Sequence, residues 1–311
     1  MSRAFRFGVQ LSGSFDARGW ADAARKTEDL GFSSLFLPDH FDDQFAPLPA
    51  LVAAADATTA LRVGALVLDN DYRHPVVLAK EAATVDVLSG GRLELGIGAG
   101  WQNTDYERSG IVKDGDGVRI AKLAEAVEIL KGLWADGSYS FTGDHYTITE
   151  LDGLPKPLQR PGPPVLIGGG GPKVLGLAAR EADIVGINPA IPKGYVDASV
   201  AAELAPATVD RKVAIVRDAA GERFSSIELN ILVFACNVGA GARAHREGTA
   251  AAMGLEPDDL DATPYAWVGE PAEVADQLRA ARERFGTSYF VVQGQAGAEA
   301  AAPVVAELAG T

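Results

Sequence analysis

Cysteine is all but missing from this sequence. Cys236 stands alone among 311 residues, so neither a disulfide framework nor a cysteine-based zinc site is available. Histidine is scarce too, at four, and no HExxH pair gives a metal-ligand spacing. No apolar run approaches the ~18 residues that a transmembrane helix needs. The opening Met1-Ser-Arg-Ala-Phe-Arg-Phe passes straight into a strand pattern without the apolar stretch of a signal peptide, so a cytoplasmic protein is expected. A basic run is also lacking. With 28 Lys and Arg against 42 Asp and Glu, the formal net charge is -14, which repels nucleic acid and anionic membrane. An anionic ligand would need a local device to hold it against that field.

What is present is a regular alternation, in a chain that is 47% apolar. Short β-branched runs predict strands over Phe5–Leu11, Ser33–Leu37, Arg62–Leu66, Arg92–Ile97, Pro164–Ile167, Asp183–Ile187, Ser226–Phe234 and Ser288–Val292. Segments of helical period lie between them. Trp20, Ala23, Ala24, Thr27 and Leu30 share one face before Gly31. Leu48–Thr58 follows, then Leu78, Ala82, Val85 and Leu88, stopped by Gly90-Gly91. Further helices are expected through Ile120–Trp134, over Lys173–Glu181, within Ala201–Ala220, over Pro271–Phe285 and over Ala298–Ala309.

Runs such as Val63–Leu68 are apolar on both faces, as parallel strands covered by helices must be. Eight such units in a chain of this length predict an α/β fold, a closed (β/α)8 TIM barrel spanning 1–311 as one domain. The open dinucleotide-binding alternative lacks its signature, since no GxGxxG joins a strand to a helix. Two insertions interrupt the minimal barrel. That at about 136–160, after the fourth unit, reads as a β-hairpin with a Pro-rich return. That at 237–268, after the seventh strand, reads as Gly/Ala-rich with one helix around Ala242–Met253.

Barrel chemistry sits at the C-terminal ends of the strands. Those ends carry Asp39-His40, Leu66–Asn70, Gly98–Asn103, Gly168–Gly171, Ile187-Asn188, Cys236 and Gln293. Gly168-Gly-Gly-Gly-Pro172-Lys173 is the sharpest signal. Glycines before a helix start leave backbone N–H groups open to an anion at the positive end of the helix dipole, and Lys173 adds a point charge. The other reading is a tight βα turn, for which one or two glycines suffice. His40 beside Asp39 suits proton transfer at a barrel mouth, or is a surface dipeptide. Trp101 after Gly98-Ala99-Gly100 edges a pocket for a flat ligand, or packs a loop. Asp69-Asn70-Asp71 reads as a solvated turn, and Cys236 as a strand-end residue rather than a nucleophile.

These residues resemble a known superfamily. Gly64-Ala-Leu-Val-Leu68, Arg73-His-Pro-Val-Val-Leu-Ala-Lys80 and the block from Val85 through Ser89-Gly90-Gly91-Arg92 to Gly98-Ala99-Gly100-Trp101 are similar to bacterial-luciferase-like monooxygenases and their F420-dependent oxidoreductase branch. Pro163–Gly171 and Trp267–Leu278 carry the same likeness. The resemblance implies a hydride-transferring oxidoreductase with coenzyme F420 lying across the barrel mouth and an unidentified small organic substrate. It further implies a strand-three bulge with a non-prolyl cis peptide, matched here by Leu66–Val67, backing the ring. Asp39 would hydrogen-bond the ring, His40 would face the substrate, and Gly169, Gly170 and Gly171 would take the cofactor phosphate, with Gly168, Gly100, Trp101 and Asn188 completing the cofactor-binding set. Family relatives that oxidise a sugar phosphate carry a glutamate where Trp101 stands, which argues against that substrate. The Asp39-His40 pair and an acidic, alanine-rich composition like that of actinobacterial proteins favour F420. The alternatives are an FMN-dependent monooxygenase and a non-catalytic cofactor-binding protein. Such proteins are commonly dimers, so a homodimer is expected.

Overall fold

The computed structural model describes residues 3–13 and 15–311; Met1 and Ser2, where the sequence pattern opens, and Ser14 lie outside them. Eight strands form the barrel: β1 (Arg6–Gln10), β2 (Ser34–Leu37), β3 (Arg62–Ala65), β4 (Leu93–Gly98), β5 (Val165–Gly169), β6 (Ile184–Ile187), β7 (Glu228–Val233) and β8 (Thr287–Gln293). Every neighbouring pair is parallel, and β8 pairs with β1 (Arg6 opposite Tyr289), so the sheet closes in sequence order. Each barrel strand is followed by a helix: α1 (Ala17–Asp29), α2 (Pro47–Ala57), α3 (Pro75–Leu88), α4 (Asp116–Trp134), α5 (Pro172–Glu181), α6 (Pro206–Ala220), α7 (Pro271–Phe285) and α8 (Gly294–Leu308). The expected (β/α)8 barrel is therefore the observed fold.

Local chemistry accounts for the helix boundaries. Asp16 caps α1 by accepting from the Gly19 amide at 2.7 Å. Proline opens α2, α3, α5, α6 and α7, where its missing N–H costs nothing. Glu270 and Glu273 form a capping box on α7, and Gly286 ends that helix in the left-handed conformation.

The strand parity separates two cores. Phe290 and Val292 of β8 face the helices, within the large outer cluster. Tyr289 and Val291 face inward, where they pack with Phe36, Leu66, Leu166 and Ile184. The floor of the barrel is ionic. Glu94, 1% exposed, accepts from Arg6, from Arg62 Nε at 2.6 Å and from the Tyr289 hydroxyl at 2.9 Å. Arg6 also pairs with Glu228 at 2.7 Å, and Tyr289 meets Ser34 at 2.6 Å.

Two departures from the sequence-based expectation bear on function. First, β3 ends at Ala65 rather than at Leu66. Pairing resumes at Leu68–Asp69, against Ile97 and Gly98 of β4, beyond a cis Leu66–Val67 peptide bond. Second, the 237–268 segment holds more than one helix. A 3-10 turn (Ala242–His245) leads into Arg246–Met253, and a further helix spans Pro257–Ala262. Its flanks, Ala235–Val238 and Ala266–Gly269, pair in parallel, so Cys236 is a strand residue and burial pushes its thiol up to about 12. Trp267 of that pair packs edge-on against Phe7 at 6.0 Å, a tertiary contact that holds four residues as a strand. The expected hairpin forms at Ser138–Thr142 and Thr147–Asp152. Among the described residues no helix is long and apolar enough to cross a membrane, and no group of three His, Cys, Asp or Glu side chains is arranged to hold a metal.

The floor yields a stability prediction. Glu94→Ala leaves two arginines and a buried tyrosine hydroxyl without their shared acceptor, a loss of roughly 3–5 kcal/mol. The expected fall in Tm by scanning calorimetry is on the order of 10 °C. A fall of under about 2 °C would mean that the ionic floor is dispensable.

Candidate active site

A cavity of about 440 Å³ opens at the C-terminal mouth of the barrel. Of the site residues expected from the sequence it is lined by Asp39, His40, Leu66, Val67, Gly100, Trp101, Gly168, Gly169, Gly170, Gly171 and Asn188. Asp69 and Gln293 line it as well. Lys173 does not; it is exposed and outside the cavity, and Cys236 and Asn70 are likewise excluded from its wall.

One wall is the strand-three bulge. The cis Leu66–Val67 bond lies there, and Gln10 Nε2 donates to the Leu66 carbonyl at 2.6 Å in a buried contact. The facing residues of β4 and its exit loop are glycines at every second position, and a Cβ there would collide with the bulge. It would lie 1.9 Å from the Ala65 oxygen at Gly96, 2.8 Å from Val67 Cγ2 at Gly98, and 2.2 Å from Asp69 Oδ2 at Gly100. These glycines are thus fixed by steric contact with strand three.

The opposite wall is the glycine run. Gly171 is the N-cap of α5, and no side chain caps that helix, so its first-turn amides remain available to an anion. A Cβ at Gly170 would lie 2.3 Å from the Ala190 nitrogen, whereas one at Gly171 would meet nothing within 4 Å. The backbone at Gly171 is therefore open to a ligand. Asn188, at the end of β6, has its Oδ1 buried without a hydrogen-bond partner on this same wall. An orphaned acceptor beside uncapped helix amides fits a polar ligand that carries both a donor and an anionic group.

The third wall holds the ionisable groups. His40 Nδ1 lies 2.7 Å from Asp105 Oδ2. Asp105, 3% exposed, also accepts from the Phe41 amide and from Gln102 Nε2, at 3.3 and 3.2 Å. With a carboxylate accepting at Nδ1, the neutral ring carries its proton there and Nε2 is the basic atom. Trp101 stands edge-on to the His40 ring at 5.7 Å. Asp39 is paired with Arg73, at 2.6 and 3.3 Å, and accepts from the Asp69 amide at 3.1 Å. Asp69 is no solvated turn residue: it is 7% exposed, takes the Tyr106 hydroxyl at 2.9 Å, and burial pushes its carboxyl up to about 6.

Asp105 and Tyr106 are the residues that sequence reasoning missed. Both lie on the short helix Asn103–Ser109, one loop beyond the strand end. The available signal was the Trp101-Gln-Asn-Thr-Asp105-Tyr106 run itself, which returns an acidic and an aromatic group toward the mouth.

A family model described as luciferase-like monooxygenase matches residues 3–217. The chain belongs to this family. It is 32% identical over 177 residues to an F420-dependent glucose-6-phosphate dehydrogenase from Amycolatopsis mediterranei, covering 54% of this chain and 53% of the relative. It is likewise 32% identical over 142 residues to an FMNH2-dependent dimethylsulfone monooxygenase from Pseudomonas putida, covering 46% and 39%. The chain thus spans about half the length, or less, of these luciferase-like relatives. The fold also matches a coenzyme F420 dependent tetrahydromethanopterin reductase from Methanopyrus kandleri, with a TM-score of 0.78 at 18% identity over 98% of each chain.

In this luciferase-like chain the buried Asp69 generates a pH prediction. Its native value of about 6 stands above the ordinary 3.8. A carboxyl raised in this way adds stability below the lower value, and that stability is lost as pH rises through the upper one. Asp69→Asn removes the titration. The stability of the variant relative to the unaltered protein should therefore rise by on the order of 3 kcal/mol across the interval. Parallel pH dependence of the two Tm values would contradict it.

Proposed function

We propose that this protein is an F420-dependent oxidoreductase, in which a deazaflavin lies across the barrel mouth and a small organic substrate meets it at His40. The observation that carries the reading is the meeting, in one cavity, of a strand-three bulge, an uncapped glycine-run helix and the His40–Asp105 pair. Relatives named for F420 dependence and solved structures of F420 enzymes support it.

The residues present fit such a group. The amides about Gly169, Gly170 and Gly171 would hold its phosphate, and Leu66, Val67 and Gly100 would back the flat ring. Asn188 Oδ1 would accept from a ring or ribityl donor. Asp39 is already engaged by Arg73, and Oδ1 keeps lone-pair capacity beyond that 3.3 Å contact for a ring N–H. When bound, the deazaflavin supplies a ring carbon that gives or takes a hydride.

The rest is done by the chain. Asp105 holds the His40 ring in one tautomer. Nε2, which makes no hydrogen bond among the described residues, takes or returns the proton that accompanies hydride transfer. Trp101 fixes the ring edge and, with the apolar rim, excludes water. A second reading, FMN-dependent monooxygenation, draws on the Pseudomonas putida relative, and the same walls would hold that flavin's phosphate.

Fluorescence titration with F420 and FMN in parallel separates the readings: saturable F420 binding with weak FMN binding is expected, and the reverse preference would sink the F420 assignment. Binding without turnover over a broad panel of electron-poor double bonds, imines and carbonyls would favour a non-catalytic carrier. The two walls should separate under mutation. His40→Ala should lower kcat by about 10²–10⁴-fold with little change in cofactor Kd. Gly170→Val, which drives a side chain against the Pro189–Ala190 backbone, should raise cofactor Kd tenfold or more. Asp105→Asn should cost roughly 10–100-fold in kcat and shift the His40 ring nitrogen resonances toward the other tautomer. Unaltered resonances would remove Asp105 from this role.

A further inference from the structure

We propose that the substrate side of this cavity is built for an uncharged, largely apolar organic molecule, and that the glycine run is the only anion site in it. The inference rests on the cofactor reading above, which assigns that run to the cofactor phosphate.

Two cations, Lys113 and Arg119, line the cavity among the described residues, and both are committed to the protein itself. Lys113 Nζ donates to the Trp101 carbonyl at 2.6 Å and to Asn103 Oδ1 at 2.5 Å. Arg119, 5% exposed, donates to the Ala99 and Gly100 carbonyls at 3.1 and 2.7 Å and to Asp116 at 2.6 Å. Its Nε has no partner but is sealed from solvent. These two side chains therefore tie down the loop after β4 rather than cradle a ligand. Arg73 sits behind Asp39 and is neutralised by it.

Against these, Asp39 and the exposed Asp116 are each taken up by an arginine, whereas the buried carboxylates of Asp69 and Asp105 line the cavity without a Lys or Arg partner among the described residues. Their field disfavours an anionic substrate, which finds no fork of donors to receive it. The rest of the lining carries no charge: Pro38, Trp101, Ile120, Ile191, Val196 and Phe234 are apolar, and Gln10, Gln102 and Gln293 are neutral amides. Val196 and Phe234 stand 66% and 39% exposed at the rim, which suits contact with an apolar molecule. A phosphorylated sugar, the substrate named for several relatives, would need a second anion cradle, which the described residues do not supply.

The test is a matched pair of probes, cyclohexanone and 4-oxocyclohexanecarboxylate, titrated into cofactor-loaded protein by saturation-transfer NMR, with glucose 6-phosphate alongside. The neutral ketone should bind at least tenfold more tightly than its carboxylate, and glucose 6-phosphate should show no saturable binding. Val196→Arg, a change at an exposed rim position, adds an uncommitted cation and should raise the affinity for the carboxylate relative to the ketone several-fold. The proposal is overturned if the carboxylate binds as well as the ketone, if glucose 6-phosphate saturates the loaded protein, if the ketone fails to bind, or if Val196→Arg gains nothing. Failure of the cofactor to load is seen before any probe is added, and overturns the underlying reading instead.

Discussion

The constraint on which the site depends is steric, between two adjacent strands. Past Ala65 the third strand leaves the regular ladder and presses its backbone and Val67 into space that the fourth strand keeps empty. Leu-Gly-Ile-Gly-Ala-Gly achieves this through the two-residue period of a strand. Its apolar members Leu95 and Ile97 point to the helices and hold the barrel. The glycines between them, with Gly100 beyond, present no side chain to the bulge. A cavity wall and a core face are thus written in alternate letters of one segment, and neither can be altered without disturbing the other.

The same wall sets the electrostatics. Gly100 admits the Tyr106 hydroxyl and Asp69 to within van der Waals reach of its backbone, while Arg119 pins its carbonyl from the other side. Rigidity at the mouth therefore comes from polar side chains spent on backbone. This leaves a site with few mobile charges, one imidazole held by a buried carboxylate, and an uncapped helix start across the cavity. Under the proposed function the labour would divide with the placement, one side binding the cofactor and the other moving a proton.

Much of this was legible in the sequence, for reasons that can be named. The barrel strands are apolar on both faces and the helices are punctuated by Gly and Pro, so nearly every element falls within a few residues of its predicted span. The glycine run and the Asp39-His40 dipeptide stand at strand ends, where barrel topology gathers functional groups whatever their sequence separation. The cis Leu66–Val67 bond was an expectation of family resemblance alone, and it is present. Asp105 was hidden because its partner lies 65 residues earlier and its own helix is a seven-residue excursion that no periodicity announces. The parallel pair Ala235–Val238 and Ala266–Gly269 was hidden for a related reason. Four residues carry too little pattern, and it is Trp267 in the aromatic cluster that makes them strands. Asp69 was misjudged because Asp-Asn-Asp reads as solvent-facing unless the burial that Tyr106 and the bulge impose on it is known.

The bare start of α5 has a thermodynamic consequence of its own. A serine or aspartate at Gly171 would close the helix on itself, and the glycine forgoes only a few tenths of a kcal/mol of that closure. The unmet hydrogen-bonding capacity is held in reserve, and any ligand that satisfies it binds the folded chain and not the unfolded one. Were a ligand held there, resistance of this protein to heat and proteolysis would become a function of ligand concentration. In a cell that stopped supplying that ligand, the protein would lose part of its own lifetime, so abundance would follow supply without any regulatory element in the fold.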